Sequence, residues 1–504
     1  MKLIIFAAIM FCLFFRIAAQ NDCTQGVLYD HIGTNDEFTS MASLDNGEYL
    51  FGGSVTTVGI VPVRKKMYFA RADVCGGSVW TAAYGQNNES FAVTKIHYQS
   101  GSNFFVAAVQ YYHDDSGLYS FGLVKLNLSG DTLWVRKYPA GPNNATPQDV
   151  IQTTDGGFAL VGYTRNLVDN YNKIWFIKTD NEGNMEWDNH FNTNSINEKA
   201  KQVIQFPDGG YLLMGQQTDI ETEYILLMRT DSQGIPVWER TYGNGYSSLG
   251  NHIIPLADGY LIAGEQSDIE FWWMSKGVYL LRIDTEGNIL WERTIIDWFF
   301  SCSIERVMQL SDEIFICMGN MKLDEGEYDG WLVKINGEGE ITWGRTYSHQ
   351  NTINAVEYFQ DFQPTPNGGF LMCGYAFIPP YPATLDAWIL RIDSLGNPCP
   401  PDNGCWVVGL PPAPVTPLPP KGGNTILTYP NPAKEEVNIT FPSLENGKFE
   451  WVLYHYTGKQ IYVFSAKAGE TFQIRTDTFE SGMYFYKALL NGTAYAQGKF
   501  VIVK

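Results

Sequence analysis

Short apolar runs separated by turn-forming clusters recur along most of the chain. In one full unit, Val203-Ile-Gln-Phe206 is an apolar run and Pro207-Asp-Gly-Gly210 a turn. Tyr211-Leu-Leu-Met214 is a second run, closed by Gly215. After a polar loop comes Tyr224-Ile-Leu-Leu-Met-Arg229, then the turn Asp231 to Gly234, then Val237-Trp-Glu-Arg-Thr-Tyr242. Runs this short, joined by Gly, Asp and Pro, predict four antiparallel strands. The second run keeps register along the chain, closing on a small residue at Gly53, Ala108, Gly162, Gly215, Gly264, Gly319 and Gly374, which predicts seven units.

The third turn carries a stricter signal. Asp284-Thr-Glu-Gly-Asn-Ile-Leu-Trp291 has the plan Asp or Asn, two residues, Gly, three residues, Trp. The plan recurs from Asp73, Asn127, Asp180, Asp231 and Asn336. Its tryptophans are Trp80, Trp134, Trp187, Trp238, Trp291 and Trp343, at steps of 54, 53, 51, 53 and 52 residues. A fixed period of this size marks a repeat architecture, and four strands per period fit a β-propeller blade. The tryptophans are expected to be structural, packing between adjacent blades. The seventh unit breaks into prolines where its fourth strand belongs. Gly26-Val-Leu-Tyr-Asp-His-Ile-Gly33 stands before the first unit and looks like an isolated fourth strand. The expectation is a ring closed by the N-terminal strand pairing near Ile389, which removes open sheet edges.

Residues 20–397 are thus expected to form a seven-bladed propeller. Lys2, the apolar run Leu3 to Phe15, and Ala18 and Ala19 predict a signal peptide over 1–19. Cys23 lacks a lipoprotein context, so no N-terminal lipid anchor is expected. A Pro-rich linker is expected over 398–423. Residues 424–504 leave the repeat and predict a small β-sandwich, Ig-like in class, so the fold class is all-β throughout.

Composition narrows the functional classes. Lys+Arg number 34 against Asp+Glu 54, a net charge of -20, which argues against a nucleic-acid partner. No cysteine or histidine grouping has metal-ligand spacing, and neither a metal nor a cofactor is expected. After signal removal seven cysteines remain. Cys23 and Cys399 would approach one rim of the closed ring, giving one disulfide pairing, with Cys399–Cys405 and Cys75 as competitors.

Turns one and three of each unit are short and uniform. The loops between strands two and three, and between units, vary, so variation falls on one face, where ligands are expected. Candidate binding residues there are Tyr111, Tyr112, His113, Trp272, Trp273, Tyr328 and Tyr381. His113-Asp-Asp115 reads either as an acid–base group or as a solvated loop. The carboxylates of 324–329 lack EF-hand spacing. No nucleophile-elbow, HExxH or P-loop pattern appears. Two readings stay open: a binding or adhesion module for a glycan or protein ligand, and a polysaccharide hydrolase or lyase whose carboxylates come from distant blades.

Two resemblances add to this. Residues 24–397 resemble the quinoprotein-like propeller blade, whose docking motif has Asp, Gly and Trp at this spacing. Quinone-dependent dehydrogenases of that family carry an adjacent Cys-Cys pair, which this chain lacks, so the cofactor is not carried over. In the tail, Tyr429-Pro-Asn-Pro-Ala433, Ser481-Gly-Met-Tyr484 and Gly498-Lys-Phe-Val-Ile-Val-Lys504 resemble the type A C-terminal sorting domain of the type IX secretion system. The residues that carry this are Pro430, Asn431, Pro432, Gly482, Tyr484, Gly498, Lys499 and Lys504. The resemblance implies a Gram-negative, Bacteroidetes-type bacterium and export to the outer-membrane surface or the medium. It implies as partners the secretion machinery, its sortase-like peptidase and surface lipopolysaccharide.

Overall fold

The structure is a computed structural model and describes residues 27–502, apart from 399–405, 409–425 and short segments that include 30–33, 114–116, 268–275 and 378–384. Among the described residues every regular element is a strand. Five sheets of four antiparallel strands follow one another as blades 1 to 5, over 34–84, 90–138, 144–191, 197–242 and 247–295. Blade 6 (301–348) and blade 7 (356–392) share one sheet, joined by a parallel pairing of Tyr328 with Val356. The fourth strand of blade 7 is Val27–Tyr29, antiparallel to Leu385–Ile392, with Val27 opposite Ile389. Cys23 and Cys399 lie outside the described residues. Trp406–Val408, within the Pro-rich stretch, adds as an extra strand on the outer strand of blade 6, Val407 opposite Tyr347. That stretch is therefore an edge strand over these residues and not spacer throughout.

The core is divided among the interfaces between blades. Leu50 and Phe69 of blade 1 pack with Phe91 and Phe105 of blade 2. Similar clusters join blades 2 and 3, 3 and 4, 4 and 5, 5 and 6, and 6 and 7. A seventh joins Phe38, Met41 and Phe51 of blade 1 to Leu371, Cys373 and Ile389 of blade 7, which closes the ring.

The Asp–Gly–Trp plan acts across these interfaces. In the third turn of blade 3, Asp180 Oδ1 accepts from the backbone N–H of Glu182 (2.9 Å) and Asn184 (2.8 Å). This fixes a turn in which Gly183 takes φ of 76°. The fourth-strand Trp134 of blade 2 lies against that glycine, so a Cβ there would come within 2.8 Å of its ring. Tyr138 Oη, four residues on, donates to Gly183 O at 2.7 Å. The same arrangement places Trp187 under Gly234, Trp291 under Gly339 and Trp343 under Gly396. The tryptophans are half-buried rather than fully enclosed. Trp80 and Trp291 use the indole N–H on the next blade, donating to Leu128 O (3.1 Å) and Gly337 O (3.0 Å).

A second set of links lies at the inner strands. Each first strand bulges at the same place, for instance between Phe38 and Ser40, and between Phe359 and Asp361. The bulge drives a carbonyl toward the second strand: a Cβ on Gly53 would sit 1.8 Å from Glu37 O, and one on Gly374 1.7 Å from Tyr358 O. This is why the second run closes on glycine. In blade 2 the equivalent residue is Val109, opposite Val93, and not Ala108; Gly122 on the third strand opens the space that Val109 fills. The residue after the bulge reaches the next blade's backbone. Ser40 Oγ accepts from Ile96 N (3.3 Å), Asp149 Oδ2 from Val203 N (3.0 Å) and Gln202 Oε1 from Ile253 N (3.0 Å). His252 Nδ1 accepts from Val307 N (3.3 Å) and Asp361 Oδ2 from Met41 N (3.1 Å). Lys95 and Arg306 hold this position in blades 2 and 6 and have no lone pair to offer. Both turn to Asp361, at 3.1 and 3.3 Å.

Two predictions follow from these links. Gly183→Ala places a side chain at positive φ against the Trp134 ring, and is expected to lower stability by about 1–3 kcal/mol in denaturant melts; unchanged stability would refute the turn–tryptophan link. The second concerns pH. Burial first, then Arg306 and Lys95, pull His252 down from 6.5 to about 3. The folded state therefore refuses a proton that the unfolded chain takes. The contribution is complete above pH 6.5 and is lost as pH falls from 6.5 toward 3, by up to about 1.4 kcal/mol per pH unit. His252→Gln keeps an acceptor for Val307 N, as Gln202 shows one blade earlier. Melts at about pH 7.5 and 5 are expected to show a smaller acid loss in this variant than in the parent.

Candidate functional site on the loop-variable face

The first strands run inward from the variable loops, and their alternate, partly exposed residues face the central channel. In blades 1 to 4 the residue at the loop end of this strand is already engaged. Asn35 Oδ1 accepts from Leu385 N (3.1 Å), Ser90 Oγ from Lys65 N (3.0 Å), Asn144 Oδ1 from Tyr119 N (2.9 Å) and Asn197 Oδ1 from Asn172 N (3.0 Å). Each holds the third strand of the preceding blade, so this polar tier is structural.

One turn of the pleat deeper, the lining changes. On blade 7, Tyr358 is opposite Tyr375, with ring centroids 5.3 Å apart. The parallel pairing at Val356 brings in Tyr328 from blade 6, which stacks on Tyr358 at 4.8 Å. All three rings are partly exposed. Burial, and then a hydrogen bond with Tyr328, push the Tyr358 phenol far above its usual range. Burial, then Glu37 and Glu305, push Tyr375 up to about 12. The Tyr358 and Tyr375 phenols thus remain neutral hydrogen-bonding groups at physiological pH. Carboxylates of blades 1 and 6 thus both act electrostatically on one tyrosine of blade 7. Glu37 Oε1 accepts from Lys65 Nζ and Ser54 Oγ, both at 2.9 Å, and Glu305 Oε1 from Ser303 Oγ at 2.9 Å. Blade 4 supplies amines. Lys199 lies over Tyr163 at 5.3 Å and Lys201 Nζ donates to Asn251 Oδ1 at 2.6 Å. Burial lowers the Lys201 ammonium, against the pull of Glu305 and Glu265.

The sequence-predicted residues distribute as follows. Tyr328 joins the tyrosine stack. Tyr111 is buried between blades 1 and 2, 4.8 Å from Phe91, with Lys137 over its ring. It is a packing residue there and not presented to a ligand. Tyr112 packs on Tyr119 at 5.0 Å. His113 ends the strand Phe104–His113. Trp272, Trp273 and Tyr381 fall outside the described residues. Tyr358, Tyr375, Glu37 and Glu305 were not picked out from sequence; Tyr358 and Tyr375 come together only through strand pairing. Among the described residues no group of three His, Cys, Asp or Glu side chains is arranged to hold a metal ion.

The tail forms two sheets, one of three strands and one of four. Between them Trp451, Phe441, Phe449 and Tyr486 are buried. Tyr484 is buried, opposite Phe500 and edge-on to Phe479 at 5.5 Å. Gly482 pairs with Ile502, Gly498 with Tyr486 and Lys499 with Phe485. Pro430, Asn431, Pro432 and Lys504 lie outside the described residues.

Residues 427–504 match the family described as the secretion system C-terminal sorting domain. This tail directs the protein through the type IX secretion system of Bacteroidetes to the cell surface or the extracellular space, and engages that machinery. No curated protein matches the chain in sequence. Among solved structures, it is similar to an acylaminoacyl peptidase of Pyrococcus horikoshii, at 10% identity and a TM-score of 0.40, over 81% of this chain and 58% of that one. The chain thus spans under two thirds of that peptidase's length. It is also similar to the β-propeller domain of the Trilobed protease from Pyrococcus furiosus (10% identity, TM-score 0.40, 70% of this chain and 93% of that). Sqt1 from Chaetomium thermophilum gives 14% identity, a TM-score of 0.35, and 74% and 87% coverage. Likenesses at this level carry no function across.

Removal of residues 427–504 is expected to leave the protein in the periplasm, measured by fractionation and by protease accessibility on intact cells. Normal surface delivery of the truncated protein would overturn the role of the tail.

Proposed function

We propose that the propeller is an exported binding module whose ligand enters the channel mouth and seats on the Tyr328–Tyr358–Tyr375 stack. The stack is the observation that carries this reading. Three partly exposed rings supply flat apolar area with polar tips, the combination that lets aromatic residues dominate recognition. The phenol hydroxyls donate and accept, and the carboxylates of Glu37 and Glu305 accept. That mixture suits a neutral, polyhydroxylated ligand such as a glycan.

The shared electrostatic influence of Glu37 and Glu305 on Tyr375 favours a second reading, a polysaccharide hydrolase or lyase. Carboxylates from separate blades flanking one pocket are what glycoside cleavage requires. Fold does not decide between the two.

Glycan and protein arrays probed with the full chain, beside a polysaccharide hydrolysis assay, separate them. The Tyr358→Ala, Tyr375→Ala double variant is expected to weaken binding to any array ligand by at least about tenfold. Turnover lost in Glu37→Gln or Glu305→Gln would establish the enzyme reading instead. Ligand binding unaffected by the tyrosine variant, with its melting temperature unchanged, would remove the channel mouth as the site.

A further inference from the structure

We infer that the ligand at the channel mouth is an acetamido sugar, and that Lys201 of blade 4 and Glu305 of blade 6 recognise its amide. This rests on the reading of the tyrosine stack and names the class of sugar that sits there. The bulge in each first strand leaves one residue without a partner on the second strand. In blades 1, 2, 4, 5 and 6 that residue is Thr39, Thr94, Lys201, Asn251 and Glu305, and in blade 7 it is Gln360. All six are partly exposed. Gln360 stands one pleat deeper than Tyr358 on the same strand, so these residues form a tier beneath the rings.

The tier is uneven. Thr39 Oγ1 donates to Val93 O (2.8 Å) and Thr94 Oγ1 to Ala108 O (3.2 Å), so on blades 1 and 2 the hydroxyl protons are spent on the backbone. On blades 4 to 6 they are not. Lys201 Nζ donates to Asn251 Oδ1 at 2.6 Å, and Asn251 Nδ2 donates to Ile304 O at 3.0 Å, one residue before Glu305. Glu305 Oε1 accepts from Ser303 Oγ at 2.9 Å. Among the described residues the two charged side chains make no further hydrogen bond. An ammonium has three donors and a carboxylate accepts at both oxygens. Lys201 therefore keeps N–H groups, and Glu305 keeps Oε2, for a ligand. Asn251 shows what fits such a pair: a neutral amide, its carbonyl on Lys201 and its N–H on an oxygen of blade 6. An acetamido group repeats that arrangement, with its carbonyl on Lys201 and its N–H on Glu305. Glu305 also acts electrostatically on Lys201, Tyr358 and Tyr375, which puts tier and stack in one neighbourhood. A zwitterion could also bridge an ammonium and a carboxylate. Stripping water from its two charges costs far more than stripping it from an amide, which favours the amide.

The probes are a chitooligosaccharide and a cellooligosaccharide of equal length, which share backbone and linkage and differ in an acetamido against a hydroxyl group. Each is titrated against the full chain, with a free α-amino acid as a third arm. The acetamido form is expected to bind at least about tenfold more tightly than the hydroxyl form. Lys201→Met and Glu305→Ala are each expected to cut that preference to less than about threefold while affinity for the hydroxyl form holds. Equal binding of the two oligosaccharides, binding of neither, or binding of the amino acid alone would each overturn the inference. So would a preference kept in full by either variant with its melting temperature unchanged. The stack is judged separately. Equal binding that the Tyr358→Ala, Tyr375→Ala variant abolishes leaves the stack in place and removes the acetamido reading. A preference that this variant keeps and Lys201→Met loses supports the tier and removes the stack.

Discussion

A blade of this protein is apolar on both faces, and water can be excluded from both only if another blade lies on each side. That requirement makes the ring. The buried side chains do not gather into a core for each repeat. They gather between repeats, and the cluster joining blades 7 and 1 has the same character as the other six. Polar links follow the same rule. Outside, a tryptophan packs under the glycine turn of the next blade. Inside, a side chain after the bulge takes a backbone N–H of the next blade. On the variable face, Asn or Ser holds the third strand of the blade before. Where such a donor is buried, leaving it unpaired would cost about 1–3 kcal/mol.

Asp361 shows how exceptions to that rule are absorbed. Two of the seven post-bulge positions are cations that cannot accept an N–H. Their interfaces instead use amides from second strands: Gln110 donates to Thr146 Oγ1 at 2.7 Å, and Asn320 makes two bonds to the Phe359 backbone, at 2.8 and 3.1 Å. The displaced charges of Lys95 and Arg306 meet on Asp361, which also binds Ser40 and Met41. Desolvation alone would raise this buried carboxyl, but the two cations and the hydrogen bonds hold it at about 2. One carboxylate therefore ties blades 1, 2, 6 and 7. A buried charge is tolerable on these terms, since each carboxylate oxygen faces a cation.

The tryptophan motif was legible because rare residues recur there at almost constant spacing. The glycine closing each second run was legible as a pattern, but its cause, a carbonyl thrust out by the bulge opposite, was not. The mistaken choice of Ala108 over Val109 comes from that gap, because a Val–Gly exchange between Val109 and Gly122 preserves the volume and hides the register. The Asn and Ser links escaped notice for a simpler reason: single polar residues at strand starts are common, and only their partners distinguish these. Of the tyrosine stack only Tyr328 was legible, as a residue of a variable loop, and the stacking itself was not. Tyr358 and Tyr375 are joined by hairpin register, and Tyr328 arrives through a parallel pairing between blades that no turn signal announces. Tyr111 misled because its neighbours in sequence are polar, whereas its neighbours in space are Phe91 and Phe69's interface.

Closure sets the order in which this architecture can form. Bringing residue 27 to residue 389 closes a loop of some 360 residues, an entropic cost of about 5 kcal/mol plus a constant. Three residues of edge pairing at Val27–Tyr29 are a small return on that. The larger return is the blade 7–blade 1 cluster, where Phe38, Met41, Tyr49, Phe51, Leu371 and Ile389 are all almost fully buried, at roughly 1.5–3 kcal/mol each for the aliphatic and aromatic side chains. The apolar contact therefore drives closure, and the strand then covers the edge it leaves. The inner face of blade 1 has no partner until blade 7 exists, so the ring cannot be complete before nearly the whole propeller has been made. The sorting tail lies beyond that point in the chain and has its own core around Trp451. The signal for export is built from residues outside the seven blades.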